Sequence, residues 1–114
     1  MSVNDKTYSP AHSITMKAKE DLPAFRFVSH LGSLVAADSK SIGVTETDWL
    51  ANEYASIITL GTIAIETSTT ISAGANVTAE TGGKAKPVTG SNPVNGRALD
   101  GCTGAGFVRI LLVP

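Results

Sequence analysis

The sequence predicts an all-β fold, a small single-domain β-barrel or β-sandwich with a flexible N-terminal arm, and three observations predict it. The segment 55–67, Ala-Ser-Ile-Ile-Thr-Leu-Gly-Thr-Ile-Ala-Ile-Glu-Thr, is dense in β-branched residues and apolar or small on both sides. That suits a strand crossing a core. Short apolar runs, about eight to ten of them, recur at regular spacing between turn signals, as in sandwiches and barrels. Finally, 42% hydrophobic residues come with only 5% aromatics and 11 glycines, which describes a core of small and branched aliphatics with many turns. The expected boundaries are 1–13 for the arm and 14–114 for the β domain.

In chain order, residues 1–11 are polar and aperiodic, a composition that does not bury enough apolar surface to order itself. From His12, Ile14, Met16 and Ala18 alternate with Thr15, Lys17 and Lys19, the pattern of a strand with one wet face. It stops at Glu20-Asp21-Leu22-Pro23. Residues 25–29 and 33–37 then predict a hairpin about His30-Leu31-Gly32, with Phe25 and Phe27 on either side of Arg26. A short strand at 41–45 follows the Asp38-Ser39-Lys40 turn. The stretch 38–53 is acidic, with Asp38, Glu46, Asp48 and Glu53 against Lys40, and is expected to be irregular. There Thr47-Asp48 is expected to cap a single helical turn through Asn52, because a short oxygen-bearing side chain accepts from the first free amides of a helix.

Within 55–67, Gly61 marks a bend or bulge. Strands at 76–80 and 84–88 flank Thr81-Gly82-Gly83, a tip whose glycines tolerate positive φ. After the loop 90–96, a brief strand at 97–99 and a glycine-rich turn lead into 107–113. This last run is apolar on both faces except for Arg109, so it reads as an interior strand closing the sheet.

A chain of 114 residues and 11.7 kDa is one domain able to bury about two thirds of its unfolded surface. Its net charge of −1 and pI near 6.0 supply no attraction for phosphate backbones or anionic lipid, so neither nucleic acid nor membrane is expected as a direct partner. The single cysteine, Cys102, excludes an intrachain disulfide and four-cysteine zinc sites. No apolar leader core and no window of membrane-span length is present, which points to synthesis in cytosol.

Motifs of chemistry are weak. Gly101, Gly104 and Gly106 lead into a strand, whereas a phosphate loop leads into a helix whose amides face the anion. His12 and His30 stand at no spacing to an acid that would converge on a metal. Cys102 lies beside Asp100, which disfavours the thiolate. Glu46, Asp48 and Glu53 read as a solvated acidic face before they read as paired catalytic carboxylates. An enzyme is therefore not expected, and no cofactor or metal is.

One order of features is more specific than any single motif: Ile63-Ala64-Ile65-Glu66, Ile71-Ser72-Ala73-Gly74-Ala75, Val77-Thr78-Ala79, Gly82-Gly83-Lys84-Ala85, Gly96-Arg97-Ala98-Leu99-Asp100 and Phe107-Val108-Arg109-Ile110-Leu111-Leu112. Over residues 41–114 the chain resembles the small capsid decoration, or cement, proteins of tailed phages. Pro10-Ala11-His12 after a polar arm is similar to the start of the lambdoid head decoration proteins. The resemblance implies a β-tulip-like form of the β domain and a structural virion protein, made in the host cytoplasm, that binds the outside of the expanded phage head and stabilises contacts between capsomers. Its implied partners are the major capsid protein and copies of itself, as a trimer or else a dimer.

The competing class is a soluble carbohydrate- or ligand-binding β module. That class calls for exposed aromatic platforms, and of one tryptophan and two tyrosines only Trp49 and Tyr54 are neighbours. The residues expected at capsid or subunit contacts are Tyr8, Pro10 and His12 of the arm, Trp49 and Leu50 as an apolar anchor rimmed by Asp48, Asn52 and Glu53, and Arg109. A guanidinium on an apolar strand needs a carboxylate or several carbonyls to receive its donors; Glu66 or Asp100, of the same chain or a neighbour across a seam, is the expected partner.

Overall fold

The computed structural model describes residues 7–114. Its organising element is β4 (Tyr54–Thr67), a long strand that belongs to two sheets in turn. The first half lies between β1 (Pro10–Lys17) and β3 (Gly43–Thr45), with Ile14 opposite Ile57 and Val44 opposite Ile58. β2 (Phe27–Val28) adds to the far side of β3. The second half runs antiparallel to β8 (Gly106–Leu112), with Ala64 opposite Arg109.

From there the sheet continues through β7 (Gly96–Ala98), β5 (Asn76–Ala79) and β6 (Ala85–Pro87). β6 meets β4 again at Thr67 and Ala85, so five strands close into a barrel. The all-β expectation therefore holds, and of its two forms, barrel or sandwich, the barrel is observed.

The expected bend is at Gly61, where φ is +97°. A Cβ there would stand 2.6 Å from both the Ala11 nitrogen and the Ser9 carbonyl oxygen, so positive φ and close backbone approach both require glycine. The kink lets one strand serve two cores. Ile58, Ile63 and Ile65 pack with Val77, Val108 and Ile110 inside the barrel, while Ile57 and Ala55 pack with Ala18, Leu22 and Val28 in a second cluster. In that second cluster β1 contributes Ile14 and Met16 from its inner face, as its alternation predicts.

Three expectations are corrected. The hairpin over 25–37 shrinks to β2 and a bridge between Val28 and Leu34. Phe25 takes φ +60° and so leaves the strand conformation. It is held there by its amide donating to Thr45 O at 2.8 Å and its carbonyl accepting from the Glu66 amide at 2.9 Å. The helical turn at 47–52 is absent: Trp49 exchanges two backbone hydrogen bonds with Leu22, and Asp48 Oδ1 accepts from the Ala24 amide at 2.7 Å instead of capping its own segment. Lastly, the strand expected from Ile14 starts at Pro10, opposite Gly61, so residues 10–13 pair with β4. Residues 1–6 of the expected arm lie outside the described residues.

Candidate functional site

The N-terminal contact residues lie against their own chain. Ser9 donates its amide to Thr62 Oγ1 at 2.7 Å and accepts from the Thr62 amide at 3.1 Å, which lays residues 7–9 along β4. Tyr8 then meets Phe25 edge to face at 6.2 Å, and Phe25 meets Phe107 in the same way at 5.9 Å. Burial first, and then a hydrogen bond to Glu46 and its charge, push the Tyr8 hydroxyl above its ordinary pKa. Pro10 sits on the Gly61 kink, and His12 Nδ1 lies 3.0 Å from Thr59 Oγ1. A register shift on each side of His12 makes a bulge on this outer strand.

Arg109 finds its carboxylate within the chain. Its Nε donates to Asp100 Oδ2 at 3.0 Å, its amide donates to Asp100 Oδ1 at 2.9 Å, and Nη1 reaches Thr7 O at 3.4 Å. Glu66, the other expected partner, receives Arg26 Nε and Nη2 at 3.1 Å each and Lys84 Nζ at 3.4 Å. The need for a partner across a seam therefore disappears for this guanidinium.

The expected anchor divides into two parts. Trp49 is half-buried on the second cluster, and its Nε1 has no hydrogen-bond partner among the described residues. Leu50 stands 63% exposed and Tyr54 70%, the two most exposed large apolar side chains described. Together with Leu22, Pro23, Asp21 and Asp48, Trp49 and Leu50 line a shallow cleft of about 270 Å³. The carboxylates around it tie loops together: Asp21 Oδ1 accepts from the Ala51 amide, Glu53 Oε1 from Leu50, and Glu20 Oε2 from Leu34. Carboxylates that accept from backbone amides in this way brace a loop.

A second exposed apolar surface was not singled out from the sequence. On the outer wall of the barrel, Leu111 lies between Arg97 of β7 and Thr62 of β4. Leu99, whose amide bonds Arg109 O, and Val113, whose amide bonds Asn95 O, continue it to either side. All three side chains are between 36% and 46% exposed. The available signal was parity: on β8, Val108, Ile110 and Leu112 fill the barrel, which turns Arg109 and Leu111 outward.

Chemical groups are few. Cys102 Sγ faces the carbonyls of Gly104 and Thr69 at 3.4 and 3.8 Å. Among the described residues, no three or more His, Cys, Asp and Glu side chains form a group able to hold a metal ion, and no helix is long and apolar enough to cross a membrane.

Comparison with known proteins adds two findings. A family model described as phage cement protein matches residues 8–112. Among solved structures, the N base of head fiber gp8.5 in bacteriophage phi29 superposes with a TM-score of 0.74 over 90% of this chain and 93% of that one, at 20% sequence identity, which establishes a shared fold. No curated protein matches the chain.

Proposed function

The chain belongs to the phage cement protein family, and from that premise, which makes it a structural capsid decoration protein of the virion surface, we propose that it acts as a non-catalytic clip. In this reading it docks on the major capsid protein of the expanded head as a homo-oligomer, a trimer before a dimer. The carrying observation is the extent of the family match, which runs from Tyr8 on the aromatic cluster to Leu112 at the end of the closing strand. Decoration is thus a property of the whole barrel with its supporting sheet, and not of a detachable motif.

The two exposed apolar surfaces support the self-association part of this reading. The carboxylates engaged by backbone amides support the non-catalytic part. Neither nucleic acid nor membrane has a part in this reading, and no cofactor does.

Co-sedimentation tests it. Purified protein mixed with expanded phage heads is expected to pellet with them in a saturable, fixed ratio to the major capsid protein. Protein that stays in the supernatant at every ratio overturns the proposal.

A further inference from the structure

The two exposed apolar surfaces are unlike each other in charge. The loop that carries Leu50, with Tyr54 at the start of β4, is an apolar patch bearing the exposed carboxylates of Asp21, Asp48 and Glu53; Lys17, opposite Tyr54, offsets part of this charge. Leu99, Leu111 and Val113 instead form part of a wall. Its strands are already paired in the closed barrel, so it offers side chains and no free strand edge.

The wall carries a cation. Arg97 is exposed, its Nε donates to Gly74 O at 3.2 Å, and no carboxylate of the described residues lies within ion-pair distance of it. Arg109 on the same wall is answered by Asp100. An apolar loop patch with an acidic rim and an apolar wall with an arginine are complementary in charge, and tyrosine and arginine are among the residue types enriched where contact energies are largest.

We propose that these surfaces are the two halves of one head-to-tail contact between copies of this chain. Leu50 and Tyr54 of one copy pack on the wall of the next, and Arg97 of that wall faces the carboxylates of Asp48 and Glu53. A contact between unlike surfaces repeats around a ring when its rotation closes, and so suits a cyclic oligomer. This inference rests on the self-association proposed above and assigns the surfaces that make it.

Two surface variants test it by sedimentation. Leu50→Asp spoils the loop patch and leaves the wall intact; Leu111→Asp does the reverse, with Arg97→Glu as a second wall variant should Leu111→Asp fold poorly. The expected result is an oligomeric wild type, monomeric single variants with melting curves of folded protein, and a 1:1 heterodimer and nothing larger on mixing a loop-patch variant with a wall variant. A folded variant that keeps the wild-type mass overturns the assignment. So does a single variant that dimerises alone, which would mean like-to-like pairing, and so does an unchanged oligomer that has lost binding to heads, which would give the surface to the shell. A monomeric wild type overturns the self-association reading itself; a wild-type oligomer with unaffected variants overturns only the surfaces named here.

Discussion

Asp100 holds Arg109 by two bonds from one side chain, Oδ1 accepting the Arg109 amide at 2.9 Å and Oδ2 accepting Nε at 3.0 Å. The turn between β7 and β8 is thereby fixed to the closing strand. Arg109→Leu removes the guanidinium donor from a partly buried carboxylate, a loss of about 1–2 kcal/mol. Denaturant unfolding should register that loss while sedimentation shows an unchanged oligomer, because the pair lies within one chain. An Arg109→Leu protein of unaltered stability but altered mass would restore the intersubunit seam.

Gly61→Ala should be among the more damaging single changes. Positive φ strains any residue with a Cβ by about 1–3 kcal/mol, and this Cβ would also press on the backbone of Ser9 and Ala11. The start of β1 has to move away or β4 has to straighten. A loss of at least about 2 kcal/mol in the unfolding free energy is expected, with faster amide exchange in residues 9–13. Exchange unchanged at those positions would show that the kink is not what positions β1.

The long, periodic strands were legible because their side chains report the faces they bury: β1 through its alternation, β4 and β8 through apolar runs. The segment 18–53 was not, since its order comes from partners far away in sequence. Phe25 is bent out of a strand by Thr45 and Glu66, and Asp48, a good local cap by type, accepts from Ala24. Arg109 shows the boundary between the two cases. That it needs a carboxylate follows from its place in the strand, but the choice of Asp100 over Glu66 depends on Arg26 and Lys84 having engaged Glu66. The outward leucines were legible only in principle, because an exposed apolar side chain shows no pattern until the inner face of its strand is known.

Trp49→Phe separates packing from polarity at the second cluster. The indole covers Leu22 and its neighbours, but Nε1 has no acceptor among the described residues. The phenyl ring keeps most of the apolar contact and removes a donor that lost its water on folding. The change in unfolding free energy should stay within about 1 kcal/mol, whereas Trp49→Ala should cost about 2–4 kcal/mol by opening the lid. A Trp49→Phe variant as unstable as Trp49→Ala would mean that the indole nitrogen has a partner in solution.

Alkaline pH should loosen the attachment of residues 7–9. The folded protein raises the pKa of Tyr8 above the value of an exposed tyrosine, through burial and then through the hydrogen bond and negative charge of Glu46. Above pH about 10 the unfolded chain releases this proton while the folded chain still holds it. The folded state then binds more protons than the unfolded one, and stability must fall as pH rises. The contribution is complete below the unfolded pKa and is lost as pH passes through the raised folded value. Once ionised, Tyr8 faces Glu46 as a like charge beside Phe25, so residues 7–9 should detach before the barrel opens. Tyr8→Phe keeps the ring contact and cannot ionise. Its melting temperature should therefore fall less steeply than that of the wild type above pH 10. Parallel curves for the two proteins would show that the Tyr8 hydroxyl titrates as though free in solvent, and that the Glu46 contact does not hold the N-terminal segment to the barrel.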